Sequence, residues 1–392
     1  MKVAITIDWL TEFGGAERVL THLHEMYPDA PIYTSLLWPS AIPEYMRNWD
    51  IRTSFLQKIP LARSHHRALL PLMPLAFEQF DMSEYDVVLT TAHACAKGVI
   101  TGPDTTNICY IFTPPRYLWE QYYAYTNGSR RKVLYAPIAN WLRVWDRVAA
   151  DRVDHFIAIS GAVADRVWRH YRREADVIFP PVDTDRFTPN GAAPEDFYLV
   201  VARLVPYKRI DLAIAAANRL RRQLWIVGEG PERRRLKAMA GPTVRFLGCV
   251  PDEELARLYA RCRAFLFPSL DDFGVAPVEA QAAGRPVIAL GRGAAVETIV
   301  PDTTGVLFDE QQVDSMVEAI ERFERLAFDP AACRRNAERF DSRIFRERFR
   351  AAVETQVRLA AERKRGRRLG SRPQTAEPLD AARQAAGSDA AT

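Results

Sequence analysis

The chain has 392 residues, 48% of them hydrophobic and 26% charged, with a formal net charge of +4. This length exceeds what one hydrophobic core supports, so two domains are expected. The mild charge does not indicate a nucleic-acid partner, and no apolar run approaches the roughly 18 residues of a membrane span. The five cysteines are scattered without C-x-x-C spacing, which predicts a reducing compartment and no zinc site.

The amino-terminal part alternates predicted strands and helices. Its start, MKVAITIDWL, predicts a strand followed by an acid and a turn rather than a signal peptide. We therefore expect a cytoplasmic chain that is soluble or at most peripheral on the inner face of the membrane. The pattern predicts strands at Val3–Ile7, Tyr85–Thr90, Asn107–Phe112, His155–Ser160 and Asp176–Phe179, and helices at Ala16–Met26 and Ala162–Tyr171. This alternation predicts a parallel, doubly wound sheet in a first domain, residues 1–190.

Three features follow predicted strands of this domain, where open α/β sheets bind ligands. The pair Gly14-Gly15 lies between strand and helix and allows the backbone to approach a ligand; an ordinary tight turn is the alternative. His93 is placed to hydrogen-bond a sugar or a phosphate, unless it is a core histidine. Arg116, after Thr113-Pro114-Pro115, is a candidate contact for the acceptor or for a phosphate.

Residues 51–77 are basic and lack acidic residues. Cationic residues interleaved with apolar ones suit an anionic membrane surface or a lipid-linked acceptor. A helix with a solvated basic face fits the pattern equally well. The cations are Arg52, Lys58, Arg63 and Arg67, and the apolar residues include Leu61, Leu69, Leu70, Leu72 and Met73.

A second domain, residues 191–343, follows the linker Asn190–Asp196. Its first predicted strand, Phe197–Ala202, leads into Arg203 and Lys208 before a helix at Ile210–Leu220. Two cations five residues apart at such a turn can hold one diphosphate from two sides, the arginine as a bidentate fork and the lysine as a point charge. Ordinary surface cations are the alternative.

The most informative stretch is DDFGVAPVEAQAAGRPVIAL, Asp271–Leu290. It predicts a loop, a helix at Val278–Ala283 that ends at Gly284, and a buried strand. Free N–H groups around Phe273, Gly274 and Val275 predict an anion site suited to phosphate. Asp271 and Glu279 flank this site, and ionised carboxylates accept hydrogen bonds from hydroxyls. A nucleotide-sugar carries both groups; a solvated acidic loop before an ordinary helix is the alternative.

This stretch resembles the E-x7-E signature of retaining, GT-B-fold glycosyltransferases of family 4, with Asp271 in place of the first Glu. The resemblance covers residues 1–360 and implies two Rossmann-like domains facing across a cleft, with a helix at 344–360 crossing back to the first domain. It implies that the Gly15 loop faces the donor's diphosphate and sugar, that Arg203 and Lys208 hold the diphosphate, and that the loop with Val250 backs the base.

The function implied is transfer of a hexosyl group from a nucleotide diphosphate sugar to a glycan or lipid-linked acceptor, with anomeric retention and without a metal. The overall pattern is most similar to mannosyltransferases of surface-polysaccharide assembly, which favours GDP-mannose. Asp271 would hold the sugar and Glu279 the ribose. The family often has a histidine where Phe112 stands here, which shifts a catalytic role towards His93.

Alternatives remain at this point: a UDP-sugar donor, a nucleotide-sugar epimerase of the same fold, or a non-catalytic binding protein. The one D-x-D sequence, Asp183 and Asp185, follows the last strand of the first domain, and we do not expect it to bind a metal. Residues 365–392 are rich in Ala, Ser, Pro and Gln, a composition that predicts a disordered tail.

Overall fold

The computed structural model describes residues 1–60, 62, 66–123 and 132–368. Both of its sheets lie in one compact unit, Met1–Arg350. Residues after Arg350 form a second unit, whose described part is the end of the last helix. No helix among the described residues is both long and apolar enough to cross a membrane.

The described residues form a first sheet of seven parallel strands. In chain order these are β1 (Val3–Ile7), β2 (Ile32–Thr34), β3 (Ile51–Thr53), β4 (Val87–Ala92), β5 (Thr106–Ile111), β6 (His155–Ala158) and β7 (Ala175–Val177). Their spatial order is β3-β2-β1-β4-β5-β6-β7. Every residue of β1, β4 and β5 is buried, as expected for central strands covered on both faces. The described helices of this part are α1 (Gly15–Met26), α2 (Met73–Glu78), α3 (Lys132–Ala150) and α4 (Gly161–Tyr171).

A second sheet of six parallel strands follows. Its strands are β8 (Tyr198–Val201), β9 (Leu224–Val227), β10 (Val244–Gly248), β11 (Ala264–Phe267), β12 (Val287–Leu290) and β13 (Gly305–Phe308), in the spatial order β10-β9-β8-β11-β12-β13. The helices are α5 (Ile210–Leu220), α6 (Arg233–Met239), α7 (Asp252–Arg261), α8 (Val275–Ala282), α9 (Ala295–Thr298), α10 (Val313–Glu324) and α11 (Pro330–Glu338). Ile214 of α5 and Ile320 of α10 join Ile226 and Leu266 in one buried cluster.

The last helix, α12 (Ser342–Arg368), begins beside the first sheet. Phe345 and Phe349 pack edge-on against Tyr110 of β5, with ring centroids 5.6 and 5.7 Å away. Arg346 also binds Glu25 of α1 at 2.9 Å. The expected disordered tail started at residue 365, whereas α12 continues through Arg368; residues 369–392 lie outside the described residues.

Both sheets reverse their strand order beside their first strand, because β1 lies between β2 and β4, and β8 lies between β9 and β11. Open α/β sheets bind ligands at this point, outside the carboxyl ends of the strands. The segments that follow β1, β4, β8 and β11 are therefore the place to look for a site.

The predicted elements have the right type; β1 and α5 have the predicted bounds, and other elements have shifted ends. The largest shift that matters is α8, which begins at Val275 instead of Val278. Gly274 has φ +82°, and a Cβ there would lie 2.7 Å from the Phe267 ring. Only glycine accepts this backbone easily, so the chain turns into the helix three residues earlier, and Pro277 fits within its first turn. Helix α3 was not predicted, because Pro137 lies in its interior.

Candidate active site

Loops at the carboxyl ends of the strands meet between the two sheets. Arg203, after β8, donates to both carboxylate oxygens of Glu12 from the first domain at 2.8 and 2.9 Å. Arg18 of α1 donates to Glu279 of α8 at 3.1 Å. Charged groups of the two domains therefore face one another across a narrow cleft.

The first-domain side is organised by Asp8, which follows β1 and is fully buried. Its carboxylate accepts four backbone N–H groups, from His93, Ala94, Cys95 and Ala96, at 2.6–2.9 Å. The same carboxylate lies 3.1 Å from Nδ1 of the His93 ring. A carboxylate with this many charge-assisted hydrogen bonds fixes the loop that carries the histidine.

His93 itself remains 29% exposed. Its ring lies edge-on to Trp9, with centroids 4.6 Å apart, and 6.4 Å from the Phe112 ring. The histidine therefore lies at the carboxyl edge of β4, beside the phenylalanine that stands where the resembled family often has a histidine. Its role in catalysis stays a prediction.

The glycine turn after β1 is closed by Glu17. This buried carboxylate accepts the Gly14 N–H at 2.8 Å, a capping interaction at the start of α1. Burial raises the pKa of Glu17. Gly15 is the first residue of α1, and a Cβ added there would meet nothing within 4 Å. The backbone at Gly15 therefore borders open space, as a ligand-facing turn requires.

On the second-domain side, the Lys208 ammonium forms an ion pair with the Asp271 carboxylate. Both side chains are mostly buried, and the ammonium also lies 5.9 Å from the centre of the Phe267 ring. The structure thus joins two residues that lie 63 positions apart and were predicted for one site. Arg203, half exposed, lies beside Tyr207 and faces the first domain.

The segment from Phe273 to Glu279 follows this ion pair. Phe273 is buried, Gly274 precedes the helix, and Val275 is its first residue. Glu279 is buried, accepting a hydrogen bond from Tyr259 Oη at 2.9 Å as well as the Arg18 contact. Burial raises the pKa of Glu279. Val250 is half buried and lies in the loop between β10 and α7.

Arg116, predicted as an acceptor-side contact, binds within the protein. Its guanidinium pairs with the Asp272 carboxylate of the second domain, and Arg166 of α4 pairs with the same oxygen. This does not test an acceptor role, but it places Arg116 at the junction of the two domains.

The D-x-D residues point to separate partners. Asp183 lies 3.6 Å from His22 Nε2, and Asp185 lies 3.4 Å from Arg334. In the described part of the chain, no group of three or more His, Cys, Asp or Glu residues is arranged to hold a metal ion.

Two family models match adjoining parts of the chain. The Glycosyltransferase Family 4 model matches residues 13–186, and the Glycosyl transferases group 1 model matches residues 182–340. The first match begins after β1 and spans β2 to β7, and the second spans β8 to β13. The chain therefore consists of a first domain similar to Glycosyltransferase Family 4 and a second domain similar to Glycosyl transferases group 1.

Relatives of this glycosyltransferase match it over part of their length. A GDP-mannose-dependent alpha-(1-6)-phosphatidylinositol monomannoside mannosyltransferase from Mycobacterium tuberculosis (strain CDC 1551 / Oshkosh) is 33% identical over 170 residues, 36% of this chain and 44% of that protein. A D-inositol 3-phosphate glycosyltransferase from Mycobacterium sp. (strain KMS) is 28% identical over 219 residues, 50% of this chain and 49% of that protein. The chain therefore spans about half the length of these curated relatives.

A solved structure supports the fold of the chain as a whole. The crystal structure of Anabaena Alr3699/HepE in complex with UDP superposes with a TM-score of 0.67 at 18% identity, over 91% of this chain and 100% of that one. The predicted GT-B architecture of two Rossmann-like domains is confirmed.

Sequence reasoning missed four residues that shape the cleft: Asp8, Glu12, Arg18 and Asp272. Asp8 could have been predicted, since an acidic residue directly after a buried first strand lies at the edge of the sheet where ligands bind. Glu12 and Arg18 lie in the glycine turn and on α1, but their partners are in the other domain. No local pattern reveals a partner 191 or 261 residues away.

Proposed function

We propose that this glycosyltransferase moves a hexosyl group from a nucleotide diphosphate sugar to a glycan or lipid-linked acceptor, with retention at the anomeric carbon. The observation that carries the proposal is the joined pair Lys208 and Asp271, which lies at the switch point of the second sheet beside the start of α8. A cation, a carboxylate and free helix N–H groups in one place suit a diphosphate next to a sugar.

The residues of the site would have different chemical roles. Lys208, Arg203 and the N–H groups after Gly274 would stabilise the negative charge that develops on the diphosphate as the glycosidic bond breaks. Asp271 would accept hydrogen bonds from sugar hydroxyls. Glu279, buried and hydrogen-bonded to Tyr259, would hold the ribose. His93 lies on the opposite wall, where the acceptor and the sugar would meet.

GDP-mannose is the proposed donor. The support is the GDP-mannose dependence named for the Mycobacterium tuberculosis relative, together with the motif pattern. Thermal shift with GDP-, UDP-, ADP- and dTDP-sugars tests the choice, and GDP-mannose should give the largest rise in Tm. When GDP-mannose is incubated with the protein and an extract that contains the acceptor, GDP should be released. A larger shift with UDP-glucose and release of UDP would replace the proposed donor, and an epimerised sugar without free nucleotide would replace transfer itself.

We further propose that transfer needs no metal. Arg203 and Lys208 already supply positive charge where a divalent ion would lie, so the ion would be repelled. Activity should survive excess EDTA in a washed preparation. Complete loss that Mg²⁺ or Mn²⁺ restores would overturn both this proposal and the assignment of the phosphate site.

A lipid-linked acceptor requires contact with an anionic membrane, and α3 offers a surface for it. Along its described stretch, residues 135–150, every exposed side chain is uncharged: Pro137, Ile138, Asn140, Trp141, Val144 and Val148. Trp141 is 48% exposed and Val144 59%. Aliphatic residues and tryptophan without a carboxylate suit the headgroup boundary of a bilayer, and three cations, Arg130-Arg131-Lys132, precede this face in the sequence. We propose that this face, rather than residues 51–77, contacts anionic lipid.

Residues 51–77 are the other surface that the sequence offers. Arg52 there is paired with Asp50 at 2.8 Å and with Tyr33 Oη at 2.7 Å, and Leu61, Arg63 and His65 lie outside the described residues.

Co-sedimentation with phosphatidylglycerol-containing vesicles tests whether the α3 face binds lipid. The double variant Trp141→Ser/Val144→Ser should lose vesicle binding, and Trp168→Ser, an equally exposed tryptophan on α4, should not. Equal binding by all three proteins would contradict the proposal. A dimer in solution that only the α3 variant dissociates would assign the face to a second copy of the chain.

A further inference from the structure

Asp272 of the second domain contacts three residues of the first domain. Its carboxylate accepts from Arg116, in the loop after β5, and from Arg166 on α4. Its backbone carbonyl accepts from Ser160 Oγ at 2.6 Å. Only 11–19% of the three charged side chains is exposed, so solvent screens these ion pairs less than surface pairs.

Asp272 lies directly beside Asp271, the residue proposed to hold the donor sugar. Asp271, directly before it, is held by Lys208 of its own domain. Phe273, directly after it, is buried, and the left-handed Gly274 starts α8. The contacts of Asp272 with the first domain therefore hold the turn that contains Asp271 and leads into α8.

We infer that Asp272 is a positioning residue: gripped by Arg116, Arg166 and Ser160, it sets the Asp271 turn against the first-domain wall that carries His93. The inference rests on the proposed function, because it takes Asp271 as the group that holds the donor sugar. A displacement of about 1 Å in a reacting group can reduce the rate about 100-fold. Two guanidiniums on one carboxylate oxygen restrict such movement from the side of the acceptor domain.

A second contact between the domains provides a matched control. Glu297 on α9 accepts the N–H groups of Gly161 and Ala162 at 2.8 and 3.1 Å, at the start of the same helix α4. Its side chain joins the same two domains through α4, whereas the Asp271 carbonyl accepts the N–H of Ala294, the N-cap residue of α9, at 3.4 Å. Glu297→Gln therefore measures the loss of an interdomain contact that its side chain makes outside the Asp271 turn.

The test compares Asp272→Asn, Arg166→Ala, their double variant and Glu297→Gln. Isothermal titration would use GDP-mannose, GDP, UDP-glucose and UDP as probes. Asp272→Asn should bind the free nucleotide within about twofold of wild type, because Lys208, Arg203 and Glu279 remain. It should lose most of the additional affinity that the sugar provides, and its kcat should fall about 10- to 100-fold. Glu297→Gln should keep both the sugar-dependent affinity and the kcat of wild type. Arg166→Lys should recover part of the loss in Arg166→Ala, since it restores the charge.

The double variant should lose no more than the larger of the two single losses, because both changes act on one contact. Equal losses in Asp272→Asn and Glu297→Gln, or an unchanged sugar-dependent affinity in Asp272→Asn, would overturn the inference. If wild type binds the sugar nucleotides but transfers no sugar, the proposed function fails while the binding comparison still decides the role of Asp272. If wild type binds none of the four probes, both are wrong.

Discussion

The two walls of the cleft hold their charged groups in different ways. On the first wall, the carboxylate of Asp8 is completely buried and satisfied by four backbone N–H groups. On the second wall, Arg203 and its partner Glu12 are both about half exposed. Buried charged hydrogen bonds fix geometry, whereas exposed ion pairs contribute little stability and can change partners.

This difference fits the proposed function. The wall that carries His93 has a loop geometry set by backbone contacts, while Arg203 on the opposite wall can leave Glu12 for a phosphate at small cost. Lys208 and Asp271 are intermediate, since their ion pair is mostly buried but lies within one domain. Substitution of the buried Asp8 should therefore affect folding, whereas substitution of Arg203 or Lys208 should affect donor binding.

The largest effect is expected for Asp8→Asn. The amide keeps one acceptor oxygen but places its NH₂ against two N–H donors. Each buried N–H without an acceptor costs about 1–3 kcal/mol, so we expect a loss of about 2–4 kcal/mol in the free energy of unfolding, measured by urea denaturation. Asp86→Asn is the control, because Asp86 also accepts a backbone N–H, from Lys2, but is exposed. Similar losses in both variants would contradict the special role of the Asp8 contacts.

Arg203→Ala and Lys208→Ala should reduce donor or transition-state binding with little change in stability. Loss of a charged hydrogen bond to the diphosphate should cost about 1.5–3 kcal/mol in kcat/KM for each. Arg219→Ala, which removes an exposed ion pair with Asp314 on the far side of the second domain, should match wild type. Wild-type turnover and donor affinity in both cleft variants would show that the diphosphate is bound elsewhere.

Asp271 and Glu279 should separate the sugar from the nucleotide. Glu279→Ala should weaken binding of free GDP and of GDP-mannose by about 1–2 kcal/mol, because it removes a ribose contact. Asp271→Ala should weaken only the sugar nucleotide. Titration calorimetry with both ligands distinguishes the two, and equal losses for free GDP would refute this division.

The smallest effect is expected for Glu12→Gln. Removing the charge that competes for Arg203 should strengthen donor binding by at most about 1 kcal/mol, as exposed pairs are weak. The gain should disappear in the Arg203→Ala background, where there is no cation to release. Weaker donor binding in Glu12→Gln would instead mean that Glu12 contacts the donor.

The two walls also differ in how far the sequence could predict them. Second-wall residues lie in short motifs, so Arg203, Lys208, Asp271 and Glu279 were predicted from strand-to-helix turns and from the resemblance to the E-x7-E signature. The ion pair between Lys208 and Asp271 was not predicted, although both residues were assigned to the donor site.

The first wall was less predictable because its contacts are nonlocal. Asp8 binds N–H groups 85–88 residues away, and Arg116 and Arg166 of the first wall bind Asp272, which lies 156 and 106 residues away. Periodicity and turn chemistry describe a chain within about one turn or strand, so they place elements but not such pairs. The early start of α8 likewise depended on the left-handed backbone of Gly274, which the sequence permits but does not require.

The most direct test of the account is a crystal structure of the glycosyltransferase with GDP-mannose. We expect the diphosphate against Lys208, Arg203 and the N–H groups after Gly274, the mannose beside Asp271, and Arg203 released from Glu12. A diphosphate bound away from these residues, with Arg203 still paired to Glu12, would contradict the assignment of this cleft as the donor site.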